Sequence, residues 1–332
     1  MPVSRVIAVH DNISTMKLVS LLALTAGAAL MPAQTLLVLN KEGSLAIVDP
    51  KSKQVLGTVQ VGDQPHEVEA SADGKLAFVS NYGTGAGGNT LSVVDLAARK
   101  ELRKVDIAPL SRPHGLWAIG DKVYFTAEAN KIVGRYDPAA NKIDMMVGTG
   151  QNTTHMVQVL PDESRMYTAN IGSDSITIFE RGGGGTWNAT VVPVGKGPEG
   201  FDVSPDGKQL WAANSRDGSV SVIDLATKKV VHTFNIQTKR SNRLKFSPDG
   251  RLVLVSDLDA GELVVLEHST RKDLKRIKLG KGLAGILITP DSARAYCAAT
   301  GDNNVLVVDL KTLEVVDRLK TGVGPDGMAW IK

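Results

Sequence analysis

The sequence predicts an all-β, seven-bladed propeller with four antiparallel strands in each blade, and three observations carry that reading. One sequence unit recurs seven times, at intervals of 42 to 46 residues. Each unit contains four short strand-like runs separated by turn signals. The two ends of the chain hold complementary fragments of a single unit, which closes the ring.

The clearest unit is the fifth. Its first run follows Gly197-Pro198-Glu199-Gly200 and ends in Ser204-Pro205-Asp206-Gly207. Its second run ends at Trp211-Ala212-Ala213-Asn214, its third is Ser219–Asp224, and its fourth is Lys229–Phe234. Pro-Asp-Gly and Asn-x-x-Asp-Gly are turn formers, because Asp caps its own backbone and Gly accepts positive φ. An acidic residue closes the third run in every unit and sets the register: Asp49, Asp95, Asp137, Glu180, Asp224, Glu267 and Asp309. Residues 35–61 supply runs two, three and four of a unit, and Gly324–Ile331 supplies a lone first run. Joining them in one blade leaves no exposed sheet edge at the seam, whereas an open stack of repeats would need polar caps.

Composition agrees and narrows the function. Glycine at 33 of 332 residues, with 22% charged and 5% aromatic, suits short strands joined by tight turns. The net charge of +3 is small and mixed along the chain, which argues against nucleic acid as a partner. The single cysteine, Cys297, permits no internal disulfide and lies in an apolar run, where a buried, inert thiol is expected. Lys17, the apolar run Leu18–Leu30 and Met31-Pro32-Ala33 read as a secretory signal, with cleavage near Ala33. Residues 1–33 are therefore an extension plus signal, with Met16 a candidate true start, and residues 34–332 are the propeller. The run is too short for a comfortable membrane span, so the mature chain is expected to have none and to be periplasmic or secreted.

The repeat resembles the bacterial YVTN β-propeller family. Phe78-Val79-Ser80-Asn81, Tyr167-Thr168-Ala169-Asn170 and Trp211-Ala212-Ala213-Asn214 carry the likeness, with Ser-Pro-Asp-Gly at 204–207 and 247–250. It covers residues 35–332. Blade three departs from it, with Gly120-Asp121 in place of Pro-Asp-Gly, and blade four carries the insertion Gly182–Gly185. The resemblance implies the fold and little about activity. Related propellers include sugar lactonases, a streptogramin lyase, surface-layer proteins and a periplasmic single-stranded-DNA binder.

Antiparallel strands put the start of strand one and the end of strand two on one face, and the Pro-Asp-Gly turn on the other. This places a channel ring of His66, His114, His155, Glu199, Asn242, Ala284 and Asp326. Behind it are expected the strand-two ends Asn40, Asn81, Glu128, Asn170, Asn214, Asp257 and Thr300. Three histidines at one repeat position in consecutive blades, with Glu199 as a fourth ligand, suit zinc, copper or another first-row divalent ion. Glu128 is the candidate base, and Asn81, Asn170, Asn214, Arg243, Asp257 and Asp326 are candidate ligand-binding residues. Arg243 is expected to pair with Asp257. The loop Tyr82–Asn89 is expected to rise on the histidine face as a lid. Trp211 and Trp330 read as core, Trp117 as flanking the channel, and His232 and His268 as solvated.

The chain lacks a Gly-x-Ser-x-Gly elbow, a His-Glu-x-x-His helix and any Cys-x-x-Cys. The sequence thus favours a module binding a small polar ligand or protein partner at its channel face. The alternative is a metal-dependent, lactonase-like hydrolase or a lyase acting on a small polar substrate.

Overall fold

The computed structural model describes Met1 and residues 34–332. The export pattern at 17–33 and the candidate start at Met16 lie outside the described residues. Among the described residues no helix is long and apolar enough to cross a membrane.

Seven four-stranded antiparallel sheets form the ring. Six are consecutive in sequence. The seventh, blade one, pairs the C-terminal strand Pro325–Ile331 with the N-terminal strand Thr35–Asn40, in the register Leu36 to Trp330 and Val38 to Met328. The ring closes through the fragments that the sequence left incomplete.

The two middle strands of each blade face a neighbouring blade on both sides and are buried almost throughout, mostly with apolar side chains. Thr35–Asn40 is buried at every residue, and Ser44–Asp49 at all but its last. The outer strands alternate instead, as in Lys100–Asp106, with one side in water. The core accordingly lies between blades: Leu37, Leu39 and Ile47 of blade one pack with Val68, Val79 and Val94 of blade two. Each fully buried side chain of this size stabilises the fold by about 1.5–3 kcal/mol. Cys297 is buried in such a seam, and burial pushes its thiol up to about 12.

The acidic register residues act as turn caps. Asp49 accepts from the Lys51 amide at 2.9 Å, and Asp309 from Lys311 and Thr312 at 2.8 and 2.9 Å. On the opposite turn, Asp206 accepts the Ser204 hydroxyl at 2.7 Å and the Lys208 amide at 3.1 Å, while Gly207 takes φ +69°. Blade three replaces this turn with Gly120-Asp121, a two-residue hairpin closing the pair Ile119 to Lys122. Trp211 is core, as expected. Trp330, expected in the core, is half-buried and borders a cavity on the Pro-Asp-Gly face. His268 is also half-buried: it accepts or donates at Nδ1 to the Gly250 carbonyl and packs edge-on against Trp211 and Phe246. His232 is exposed on the outer strand.

Candidate functional site: a cup at the channel mouth

Every inner strand breaks register just after its first residue, for example between Pro65 and Val68, Pro113 and Leu116, and Thr154 and Val157. A bulge of this kind re-aims the extra side chain, and here the extra residue is the ring position. Gly115, Gly200, Gly285 and Gly327 follow ring residues; a Cβ on any of them would come within 2.6 Å of the next inner strand's backbone. Glycine there lets the inner strands crowd the axis. Hydroxyls on the second strands fix the ring from behind: Ser80 donates to the His114 carbonyl, Thr126 to that of His155 and Ser256 to that of Ala284, each at 2.7 Å.

The result is a cup of about 630 Å³, lined by His66, His114, His155, Glu199, Asn242, Ala284 and Asp326. This is the predicted ring in full. The His114 and His155 rings lie 3.7 Å apart and the His66 and His114 rings 4.6 Å apart. Tyr82, from the loop expected as a lid, closes the same wall, 4.7 Å from His66. Its hydroxyl donates to Glu128 at 2.8 Å, and the other Glu128 oxygen makes a very short hydrogen bond with His155 Nδ1. Among the described residues, His114, Glu128 and His155 form a group whose ligand atoms all lie within 4.8 Å of one another. His114 Nδ1 and His155 Nε2 are buried there without a hydrogen-bond partner.

The other predicted ligands are engaged elsewhere. His66 turns Nδ1 toward Asp326 at 3.5 Å, and Asp326 also pairs with Lys41 at 3.2 Å. Glu199 accepts from the Asn242 amide at 2.5 Å. Neighbouring ring positions supply these partners, which repeat spacing alone does not reveal.

Electrostatics follow from burial. Desolvation drops His66 to about 4 and His114 well below the ordinary histidine range, so both rings are neutral and able to ligate near neutral pH. Burial alone would raise Glu128, but the bonds from His155 and Tyr82 outweigh it and hold the carboxylate below its usual range. Asp326 is likewise held low, with Lys41, His66 and Arg243 overcoming its burial.

Arg243 forms the floor. It comes from blade six and reaches across the axis to Glu67 of blade two, while bonding Asn242 at 3.2 Å. The expected pair with Asp257 is corrected: Asp257 accepts the backbone amides of Lys239, Arg240 and Ala260 at 2.7–3.1 Å and does not reach the cup. Burial would lower the Arg243 guanidinium, yet Glu67, Asp326 and Glu199 together raise it. Below this floor a separate cavity of about 70 Å³ is lined by Trp117, Gln158, Glu67 and Glu69, so Trp117 flanks the channel beneath the cup.

Asn81, Asn170 and Asn214 are also corrected. All are buried, and none lines the cup. Asn81 donates to Thr90 and Ser92, Asn170 to Ser175 and Thr177, and Asn214 to Ser219 and Ser221, tying strand two to strand three. Gly62 lies on Asn81 so closely that a Cβ would sit 2.2 Å from the amide carbon. Strand alternation explains the difference. The residue that pairs with the first inner-strand residue is Asn81, Asn170 or Asn214 in blades two, four and five, but Ala127 in blade three. Glu128 is one residue further on. It matches Tyr82, Ile171, Ser215, Leu258 and Lys41, all of which line the cup. Tyr82, Lys41, Glu67, Arg216, Lys239 and Arg240 were not singled out from sequence as site residues, and the position after the strand-two end was the signal for the first two and for Arg216's neighbour Ser215.

A family model for YncE-like β-propellers matches residues 120–295. The uncharacterized protein YncE of Salmonella typhimurium is 24% identical over 168 residues, 49% of this chain and 47% of that protein. The match thus spans about half the length of the curated relative. Among solved structures, a Bacteroides fragilis protein provisionally named a 6-phosphogluconolactonase superposes with TM-score 0.75 at 16% identity, covering 91% of this chain and 99% of that one. Kuenenia stuttgartiensis hydrazine synthase superposes with TM-score 0.73 at 18% identity, covering 83% and 92%. At these identities the structural likeness establishes the fold. With seven closed blades and the family match on more than half its length, the chain belongs to the YncE-like β-propeller family.

Proposed function

We propose that this propeller is an extracytoplasmic binding module whose cup holds a divalent first-row transition ion, zinc or copper among them, at His114 and His155. One observation carries the reading: two buried imidazole nitrogens with no protein partner, beside a carboxylate held in its charged form. Leaving buried polar atoms unpaired costs about 1–3 kcal/mol each, and an ion would satisfy both. Glu128 bonds His155 Nδ1, the arrangement in which a carboxylate orients a metal-bound histidine and raises its basicity. Tyr82 in turn holds Glu128. His66 stands beside His114 as an adjoining imidazole. The export pattern at residues 17–33 supports the extracytoplasmic part.

A second reading, hydrolysis or elimination on a small polar substrate, is favoured by the openness of the same group. So few protein donors leave coordination positions for water and ligand, and the name given to the Bacteroides fragilis relative fits that class. The ion would polarise a carbonyl or activate water.

Elemental analysis of protein purified without an affinity tag tests the first reading. Near-stoichiometric transition metal, absent from a His114→Gln/His155→Gln variant that still melts cooperatively, supports it. Protein that stays metal-free after incubation with zinc, copper, manganese and iron in turn refutes it. Turnover of a lactone, abolished by the same variant, would move the assignment to the enzyme.

A further inference from the structure

The cup is lopsided. Blades two to four present the imidazole and phenol wall of His66, Tyr82, His114 and His155, whereas the facing rim on blades five and six carries Arg216, Lys239 and Arg240. Those three side chains make no ion pair and no side-chain hydrogen bond within the described residues, while other cations of the cup are spent: Lys41 on Asp326 and Arg243 on Glu67. The carboxylates at the cup are mostly engaged too, Glu128 by His155 and Tyr82 and Glu199 by Asn242, which leaves Asp259 as the acid on the cationic side.

The unpaired cations are held on pinned backbone. The amides of Lys239 and Arg240 donate to the buried Asp257 carboxylate at 2.7 and 3.1 Å, and Thr238 and Ser241 join their hydroxyls at 2.7 Å across that turn. The amide of Arg216 bonds the Lys196 carbonyl at 3.0 Å, and the preceding Ser215 hydroxyl bonds Gly197 at 2.8 Å. Gly197, at φ +65°, allows the Arg216 stem to lie over it: a Cβ there would meet Arg216 Cγ at 3.0 Å. Unpaired positive charge carried on pinned backbone at the mouth of a concave polar site concentrates anions there.

We infer that the cup takes a small polyanion, a molecule bearing at least two carboxylate or phosphate groups, with one group against the imidazole wall and another met by Arg216, Lys239 and Arg240. This rests on the cup being the binding site, but not on the ion, because the cations act whether or not metal is bound. The size of the cup, within the range of small-ligand sites, and its closed floor favour a compact molecule over a threaded polymer.

Isothermal titration with tricarballylate and with 3-phosphoglycerate, against glycerol as the neutral control, tests the inference on both metal-free and zinc-loaded full-length protein. Binding of either anion that weakens at least about tenfold in an Arg216→Gln/Lys239→Gln/Arg240→Gln variant, with zinc affinity unchanged, supports it. The preferred probe then assigns carboxylate or phosphate. Anion binding that persists where wild-type protein takes no zinc supports it as well and removes only the metal reading. Glycerol binding as tightly as 3-phosphoglycerate, equal anion affinity in the variant, or binding of a single-stranded oligonucleotide with both small anions silent overturns it.

Discussion

Replacing Arg243 by methionine should be among the most costly single changes in this molecule. Arg243 is 5% exposed and pairs across the axis with Glu67; burial would lower its guanidinium, but Glu67, Asp326 and Glu199 together hold it above its usual range. Methionine retains most of the apolar stem and removes the charge, so Glu67 loses its ion-pair partner and Asp326 and Glu199 lose a nearby positive charge. Breaking a buried pair by deleting one member costs about 3–5 kcal/mol. A folded body of this size unfolds with an entropy of about 0.6 kcal/mol/K, so the melting temperature should fall by about 5–8 °C at neutral pH. Differential scanning calorimetry on Arg243→Met, Glu67→Leu and the double variant decides the matter. A buried ion pair replaced as a whole by apolar groups is often nearly neutral. The double variant should therefore recover at least half of the loss, the remainder being the repulsion left between Asp326 and Glu199. A single variant that melts within about 1 °C of wild type, or a double variant less stable than Arg243→Met, would refute the picture of a charge-bridged floor.

Three further outcomes are expected. Tyr82→Phe removes the hydroxyl that donates to Glu128 at 2.8 Å and should weaken metal binding by about tenfold, as loss of an outer partner typically does, with the melting temperature nearly unchanged; calorimetric titration reads both. Asn170→Ala strips bonds to Ser175 and Thr177 and should cost about 1–3 kcal/mol in urea unfolding without altering metal affinity, since the residue faces away from the cup. Burial pushes the Glu69 carboxyl from its usual 4.5 up to about 8, against Lys245 and with help from Glu67. Its protonated form therefore contributes stability that is fully present below pH 4.5 and is lost as pH rises through about 8. Glu69→Gln should accordingly be more stable than wild type at pH above that value by about 2 kcal/mol, discounted because the residue is half-buried, and a pH series of melting curves should show the two lines converging as pH falls toward 4.5; a gap that does not change with pH would contradict it.

The architecture was legible because the repeat advertises itself in residues with local jobs. Asp49, Asp224 and Asp309 cap their own turns, and Gly207 needs positive φ, so the period survives in sequence whatever the blades later bind. The channel ring was legible for the same reason, since one position per repeat meets the axis. Partners across the axis were not. Arg243 finds Glu67 from a distant blade, and no repeat position encodes that meeting. The asparagines misled because alternation along strand two reverses the facing of adjacent residues, and blade three reaches its strand end at Ala127. Glu128 joins the cup as the residue beyond that end, while Asn81 and Asn214 turn back into their sheets. The three unpaired rim cations lie on loops of ordinary composition. Only the ion-pair geometry separates them from Lys41, which is already neutralised.

Cobalt(II) titration of metal-free protein, followed by visible absorption, tests the metal centre most directly, because its d–d bands report nitrogen and oxygen donors around the ion. One equivalent should give saturating bands that disappear in His114→Gln/His155→Gln and shift, without disappearing, in Tyr82→Phe. A featureless spectrum from folded wild-type protein, or the same bands in the histidine double variant, would contradict a metal centre at His114 and His155.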